Sequence, residues 1–180
     1  MKNFFVFLIL SIITMISLLS CSTVPKGAVI VTSFDKGRYL GKWYEIARMD
    51  FRFERNLNNT TAIYSLEQDG KIKVINGGFN YVTNKWTQAE GKAKFAGAPD
   101  EAKLKVSFFG PFFSPYNVIA LDSEYKYALI AGKNLKYLWI LSRETEIPDE
   151  IKQKYLKIAR EIGYNVSELI WVEHDKKSGN

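Results

Sequence analysis

Cysteine is almost missing from this chain. Its single thiol, Cys21, cannot close a disulfide within the molecule. Histidine is as scarce: the one residue, His174, falls beyond the last strand-like segment, away from any cup in which a Ser–His–Asp relay would need it. With so few such ligands, no cluster has the spacing of a transition-metal site, and neither metal nor cofactor is expected. The formal charge of +6 is spread along the chain without a basic helix or an arginine cluster, so no nucleic-acid partner is expected. What the 180 residues do have is rings: aromatics make up 14%, enough for a large core or a ring-lined cavity within about one domain.

The first twenty residues stand apart. Lys2 precedes an apolar run from Phe4 to Leu19, short for a membrane span and broken only by Ser and Thr. It ends in Leu18-Leu19-Ser20-Cys21, which resembles the lipobox of bacterial lipoproteins. That resemblance implies cleavage before Cys21, a diacylglyceryl group on its thiol and acylation of the new amino terminus. Several acyl chains together anchor stably where one does not. Ser22, not being Asp, resembles an outer-membrane address. Residues 1–20 are therefore read as a signal peptide, 21–32 as a lipidated tether and 33–180 as the folded domain.

The body is patterned with period two. Alternation and turn signals predict strands at Lys42–Met49, Thr60–Glu67, Lys71–Asn80, Lys85–Phe95, Lys103–Phe109, Tyr116–Asp122, Tyr127–Lys133 and Tyr137–Arg143. In the first, Trp43, Glu45 and Ala47 share one face and Tyr44, Ile46 and Arg48 the other. From Pro148 to Gly163 the period lengthens. Ile151, Tyr155, Ile158, Ala159 and Ile162 form a helical stripe, with acids at its start and glycine at its stop. Ile170-Trp171-Val172 can add a short final strand.

Up-and-down strands alternate in direction. If Trp43 marks the bottom of the first, the eighth also finishes at the bottom, at Arg143, where a guanidinium can stack on the indole. The loops at 50–59, 81–84, 110–115 and 134–136 then share the opposite, open end.

Gly41-Lys42-Trp43, with Arg143 at the end of the eighth strand, resembles the signature of the lipocalin family. Asp122 to Tyr127 approximates its second motif. Tyr39 to Arg48, Lys105 to Phe112, Tyr116 to Asp122 and Tyr137 to Arg143 are similar in particular to the bacterial outer-membrane lipoprotein branch, akin to apolipoprotein D. The resemblance implies an all-β fold: an eight-stranded antiparallel up-and-down lipocalin β-barrel with a C-terminal α-helix packed outside. It also implies a lipid ligand, a fatty acid, lysophospholipid or similar amphiphile.

Alternation gives the candidate ligand contacts. Trp139, Phe108 and Tyr116 are assigned to the acyl chain, with Val74 and Asn76 on the same inner wall and Phe112 and Phe113 at the mouth. Small residues at Ala89, Gly91 and Ala93 leave room. Trp43 and Arg143 are structural, flooring the barrel. The rings from Phe109 to Phe113 serve as a lid, a membrane contact or a self-association surface, and so permit a homodimer. Arg52 and Arg55 either meet a lipid phosphate or, as favoured here, pair locally with Asp50 or Glu54. Catalysis is not expected, although Glu45 and Glu90 could both face the cavity. The alternatives are a structural envelope lipoprotein and an isomerase-type lipocalin.

Overall fold

The computed structural model describes residues 23–176; Cys21 and the leader lie outside the described residues. After a short helix α1 (Lys36–Tyr39), nine strands follow. They are β1 (Gly41–Arg48), β2 (Leu57–Leu66), β3 (Ile72–Asn80), β4 (Lys85–Phe95), β5 (Lys103–Phe109), β6 (Phe112–Leu121), β7 (Tyr127–Ala131), β8 (Leu138–Ser142) and β9 (Ile170–Trp171), with α2 (Asp149–Ile162) before the last. Every pairing is antiparallel between neighbours from β2 to β8.

The first strand closes the barrel by serving both edges. Gly41–Tyr44 pairs with β2, Tyr44–Arg48 pairs with β8, and β9 takes the edge of β1 that β2 has left, pairing Ala47 with Trp171 and Arg48 with Ile170. The result is the eight-stranded closed barrel that the family resemblance implies.

Period-two patterning sorts apolar residues into two cores, as β7 shows: Ala128 and Ile130 belong to the interior cluster with Trp43, Val74 and Leu104, while Leu129 and Ala131 face outward beneath α2. The helix seals that outer face with Tyr155, Leu156 and Ala159 buried and with Ile151, Ile158 and Ile162 packed beside them. Its amphipathic stripe places it there. The Tyr155 hydroxyl donates to the Tyr127 carbonyl at 2.8 Å, so the phenol is not left unpaired.

At the closed end, the Arg143 guanidinium lies 3.8 Å from the Trp43 ring centroid. It donates to the carbonyls of Lys42 (2.7 Å), Arg38 (2.9 Å), Leu40 (2.9 Å), Tyr39 (3.2 Å) and Tyr125 (3.2 Å). Trp43 is fully buried and its Nε1 donates to the Tyr39 carbonyl at 2.9 Å. The chain can pass so close only because Gly41 has φ of +95° and no side chain; a Cβ there would sit 3.4 Å from Arg143 Nη1. Asp122 fixes the β6–β7 turn by accepting from the backbone N–H groups of Glu124, Lys126 and Tyr127. The Tyr125 hydroxyl accepts from Asp35 N at 2.7 Å, so this second motif also ties into the floor.

Three details differ from the sequence reading. In β1 the register against β8 shifts between Glu45 and Ala47, so Ile46 is an extra, bulged residue. Beyond it the faces exchange: Ala47 pairs with Ile140 on the outside, and Arg48 pairs with Trp139 on the inside. Second, β6 begins at Phe112, not Tyr116. Gly110, at φ of +59°, and Pro111 make a two-residue turn between the paired Phe109 and Phe112, and Pro115 is accommodated in a strand whose register shifts nearby. Third, the segment before α1 is fastened to the barrel, with Val24 and Ala28 against the outer core and Ile30 and Val31 against the interior cluster. Asn117 Nδ2 donates to the Thr23 carbonyl at 2.9 Å, and Val31 exchanges backbone bonds with Val118 and Ala102.

Arg143→Met removes the donors to these carbonyls while keeping much of the side chain's bulk. It is expected to lower stability by about 2–4 kcal/mol, read as the shift in urea midpoint at unchanged slope. An unchanged midpoint would remove Arg143 from the set of residues holding the barrel shut.

Candidate functional site

Between the loops of the open end lies a cavity of about 670 Å³, within the range of roughly 300–1,000 Å³ usual for small-ligand sites. Val74 and Asn76 of β3, Val106 and Phe108 of β5, Phe112 and Tyr116 of β6, and Trp139 and Leu141 of β8 line it. Six of the seven ligand contacts assigned from the sequence therefore face one space. Phe113 does not. Its ring lies on the outer wall, with Lys94 Nζ 4.5 Å and Lys92 Nζ 6.0 Å from its centroid, because strand parity turns it away from Phe112 and Ser114.

The space has a different origin from the one expected. Of the small β4 residues, only Ala89 borders the cavity, and Ala93 is buried in the interior core below it. Gly91 makes room for the protein itself: a Cβ there would stand 2.7 Å from Phe108 Cδ1 and 2.7 Å from the Ser107 carbonyl. The glycine lets Phe108 lie against the wall. Ala62 of β2, paired with Asn76 on the inner face, adds room on the adjoining wall.

Because the bulge turns Arg48 inward, a polar collar forms near the mouth. Arg48 is almost wholly buried, and it donates to Glu45 Oε1 at 2.7 Å and to the carbonyls of Glu54 (2.7 Å) and Leu57 (2.9 Å). Those bonds pin the β1–β2 loop across the opening. Thr60 Oγ1 also donates to Glu45 Oε1, at 3.1 Å. Glu54 Oε2 accepts from Trp139 Nε1 at 3.0 Å. Burial pushes the Glu54 carboxyl up to about 8, with the nearby Glu45 adding to the shift and the Trp139 bond and Arg48 opposing it. Burial also raises Glu45, against the pull of Arg48. At neutral pH Glu54 is thus protonated, beside the 2.7 Å contact between Arg48 and Glu45. Phe51 packs edge-on to Trp139 at 5.8 Å and to Tyr137 at 5.9 Å, completing the loop's cover.

At the rim, Phe109 and Phe112 are 61% and 80% exposed, and Phe53 stacks 5.1 Å from Phe109. Arg55 pairs with Asp50 at 3.1 Å, and Arg52 lies 4.4 Å over the Phe53 ring. Glu90, weighed with Glu45 as a carboxylate pair, is on the outer surface, ion-paired to Lys73 at 2.7 Å. His174 packs edge-on against Tyr44 outside the barrel, with Nε2 2.9 Å from the Glu45 carbonyl. The Glu45–Arg48–Glu54 collar escaped sequence reasoning. Its only signal would have been the bulge, and no residue type announces one at Ile46.

A closed antiparallel cup with a tryptophan under an arginine at its floor, a hollow interior and a helix outside defines a lipocalin. The model of the lipocalin-like domain family matches residues 34–174, and the chain belongs to that family. It is 56% identical over 154 residues to the outer membrane lipoprotein Blc of Escherichia coli strain K12, covering 86% of this chain and 87% of that protein. To the protein of the same name from Citrobacter freundii it is 57% identical, with the same coverage. Among solved structures, insecticyanin from the tobacco hornworm superposes with a TM-score of 0.68 at 22% identity, covering 84% of this chain and 87% of that one, which speaks for the fold alone. The close relationship to the two lipoproteins bears out the outer-membrane location expected from the leader.

The folded chain keeps the Glu54 proton up to about pH 8, whereas an unfolded glutamate releases it near 4.5. Folded protein therefore binds more protons across that window, so this residue's contribution is full below about 4.5 and is lost as pH rises through about 8. Glu54→Gln, which keeps an acceptor for Trp139, is expected to flatten the decline and to be more stable than the parent at the alkaline end. Urea midpoints measured at several pH values check this, and parallel curves for the two proteins would refute it.

Proposed function

We propose that this chain is a lipid-anchored lipocalin that holds a fatty acid, a lysophospholipid or a similar amphiphile and stores or transports it in the cell envelope. The observation that carries the reading is the open cavity of about 670 Å³, ringed by Trp139, Phe108, Val106 and Leu141 and reached from the loop end. Apolar walls favour an acyl chain by removing its surface from water, about 0.8 kcal/mol for each methylene buried. Trp139 occupies the place where wall and collar meet, its ring against Phe51 and its N–H on Glu54.

Residues 1–20 act as the signal peptide and Cys21 as the acyl acceptor, with the lipocalin domain following from residue 33. The separation of Glu45 from Glu90 by the barrel wall, and the packing of His174 outside it, favour binding over catalysis.

Two measurements test this. A fluorescent fatty acid is expected to bind saturably, and Trp139→Ala to weaken it roughly tenfold, as truncation of a central aromatic contact does. Absence of saturable binding would remove the lipid reading. Cys21→Ser is expected to abolish incorporation of labelled palmitate and to release the chain from membranes; persistent labelling would place the acyl chains elsewhere.

A further inference from the structure

The blind end of the cup is not wholly apolar. Tyr64 of β2 and Tyr116 of β6 line it, and Tyr39 of α1 lies buried behind them. Tyr64 Oη donates to Tyr116 Oη at 3.1 Å, and the hydroxyls of Tyr116 and Tyr39 are 2.6 Å apart. Burial raises all three phenols above their ordinary value, so each keeps its proton at neutral pH. Three O–H groups thus share two hydrogen bonds, and one proton has no acceptor among the described residues. When Tyr116 accepts from both neighbours, its own proton is the one left, and Tyr116, unlike Tyr39, borders the cavity.

A second atom points the same way. Asn76 lines this cavity, and its Oδ1 is buried without a hydrogen-bond partner. The register pairs Val74 with Tyr64 and Asn76 with Ala62, which makes Asn76 the next residue of the inner face above Tyr64 on the adjoining strand. With Tyr39 donating to Tyr116, the deep half of the cup holds one unused donor and one unused acceptor in an otherwise greasy chamber. Buried polar groups left in that state are uncommon, because each forfeits its bonds to water.

We propose that Tyr116 and Asn76 form a subsite for a hydroxyl group borne on the acyl chain of the ligand. A hydroxyl both accepts and donates, so it can pair with either atom, whereas a plain hydrocarbon pairs with neither. A carboxylate is a poor fit, since a buried charge needs more than one O–H. The inference rests on the lipid reading above and chooses among lipids: hydroxylated chains are preferred over saturated ones of equal length.

The test displaces a fluorescent fatty acid from the purified chain with an unsubstituted fatty acid and with a series bearing one hydroxyl at successive carbons. At one position along the series the hydroxyl is expected to tighten binding roughly three- to tenfold, the net worth of one or two buried hydrogen bonds. Tyr116→Phe and Asn76→Leu should each reduce that preference, read on each variant as the ratio of its affinities for the hydroxylated and the unsubstituted acid. If Tyr116→Phe does not fold, Asn76→Leu alone decides. Equal binding of every member of the series overturns the subsite and leaves the lipid reading standing, as does a preference that survives the substitutions. Failure of every member to bind overturns both.

Discussion

A hollow barrel forgoes the packing that stabilises an ordinary core, so its closure has to come from somewhere else. Here it comes from Arg143. One guanidinium covers Trp43 and gathers carbonyls from α1, from the turn into β1 and from the β6–β7 turn. Apart from Lys42, which pairs with Ile63 of β2, those carbonyls belong to residues outside the strand ladders. A cation with five planar donors is suited to them, because charge-assisted bonds are stronger than neutral ones and the guanidinium cannot be titrated away. With one end fastened in this way, and with α2 supplying a second apolar core on the outside, the interior towards the loops can stay open.

The mouth is organised by a different cation. Arg48 reaches the interior only because β1 carries an extra residue, and once there it holds both Glu45 and the backbone of the β1–β2 loop. A buried ion pair adds little net stability relative to apolar packing, but removing one partner is strongly destabilising. The pair is better understood as a positional device. It sets the loop that brings Glu54 to the Trp139 indole, and a neutral acid there can donate as well as accept without placing a charge above the cavity.

What could be read from the chain alone follows from which interactions are periodic. β4 and β5 appear with the expected bounds, and the stripe from Ile151 to Ile162 lies on the packed side of α2, because alternation and helical spacing are properties of the sequence itself. The meeting of Trp43 and Arg143 was legible too, since it depends only on counting strand directions. The bulge at Ile46 was not, because a single insertion reverses every later side chain without changing composition. That hid Arg48, and with it the acid at Glu54. Phe113 failed for the related reason that β6 begins earlier than its prolines suggest. Gly91 misled in another way: an absent side chain shows that something needs the room, and here the occupant is Phe108, not a ligand.

The same distinction between space and its occupant bears on the cavity as a whole. A void lined only by aliphatic groups can stay empty at modest expense, because nothing in its wall requires a partner. This wall is different. The carboxyl of Glu54 stands near the opening, and at depth a tyrosine proton and the Asn76 carbonyl have no partner among the described residues. Polar atoms at two levels, separated by Trp139, Phe108 and Val106, suit the proposed ligand, an amphiphile whose chain is itself interrupted by oxygen. Tyr64 and Tyr116 also carry the interior core at the base of the chamber, so the groups that would read such a chain are the ones on which the barrel's lower half is packed.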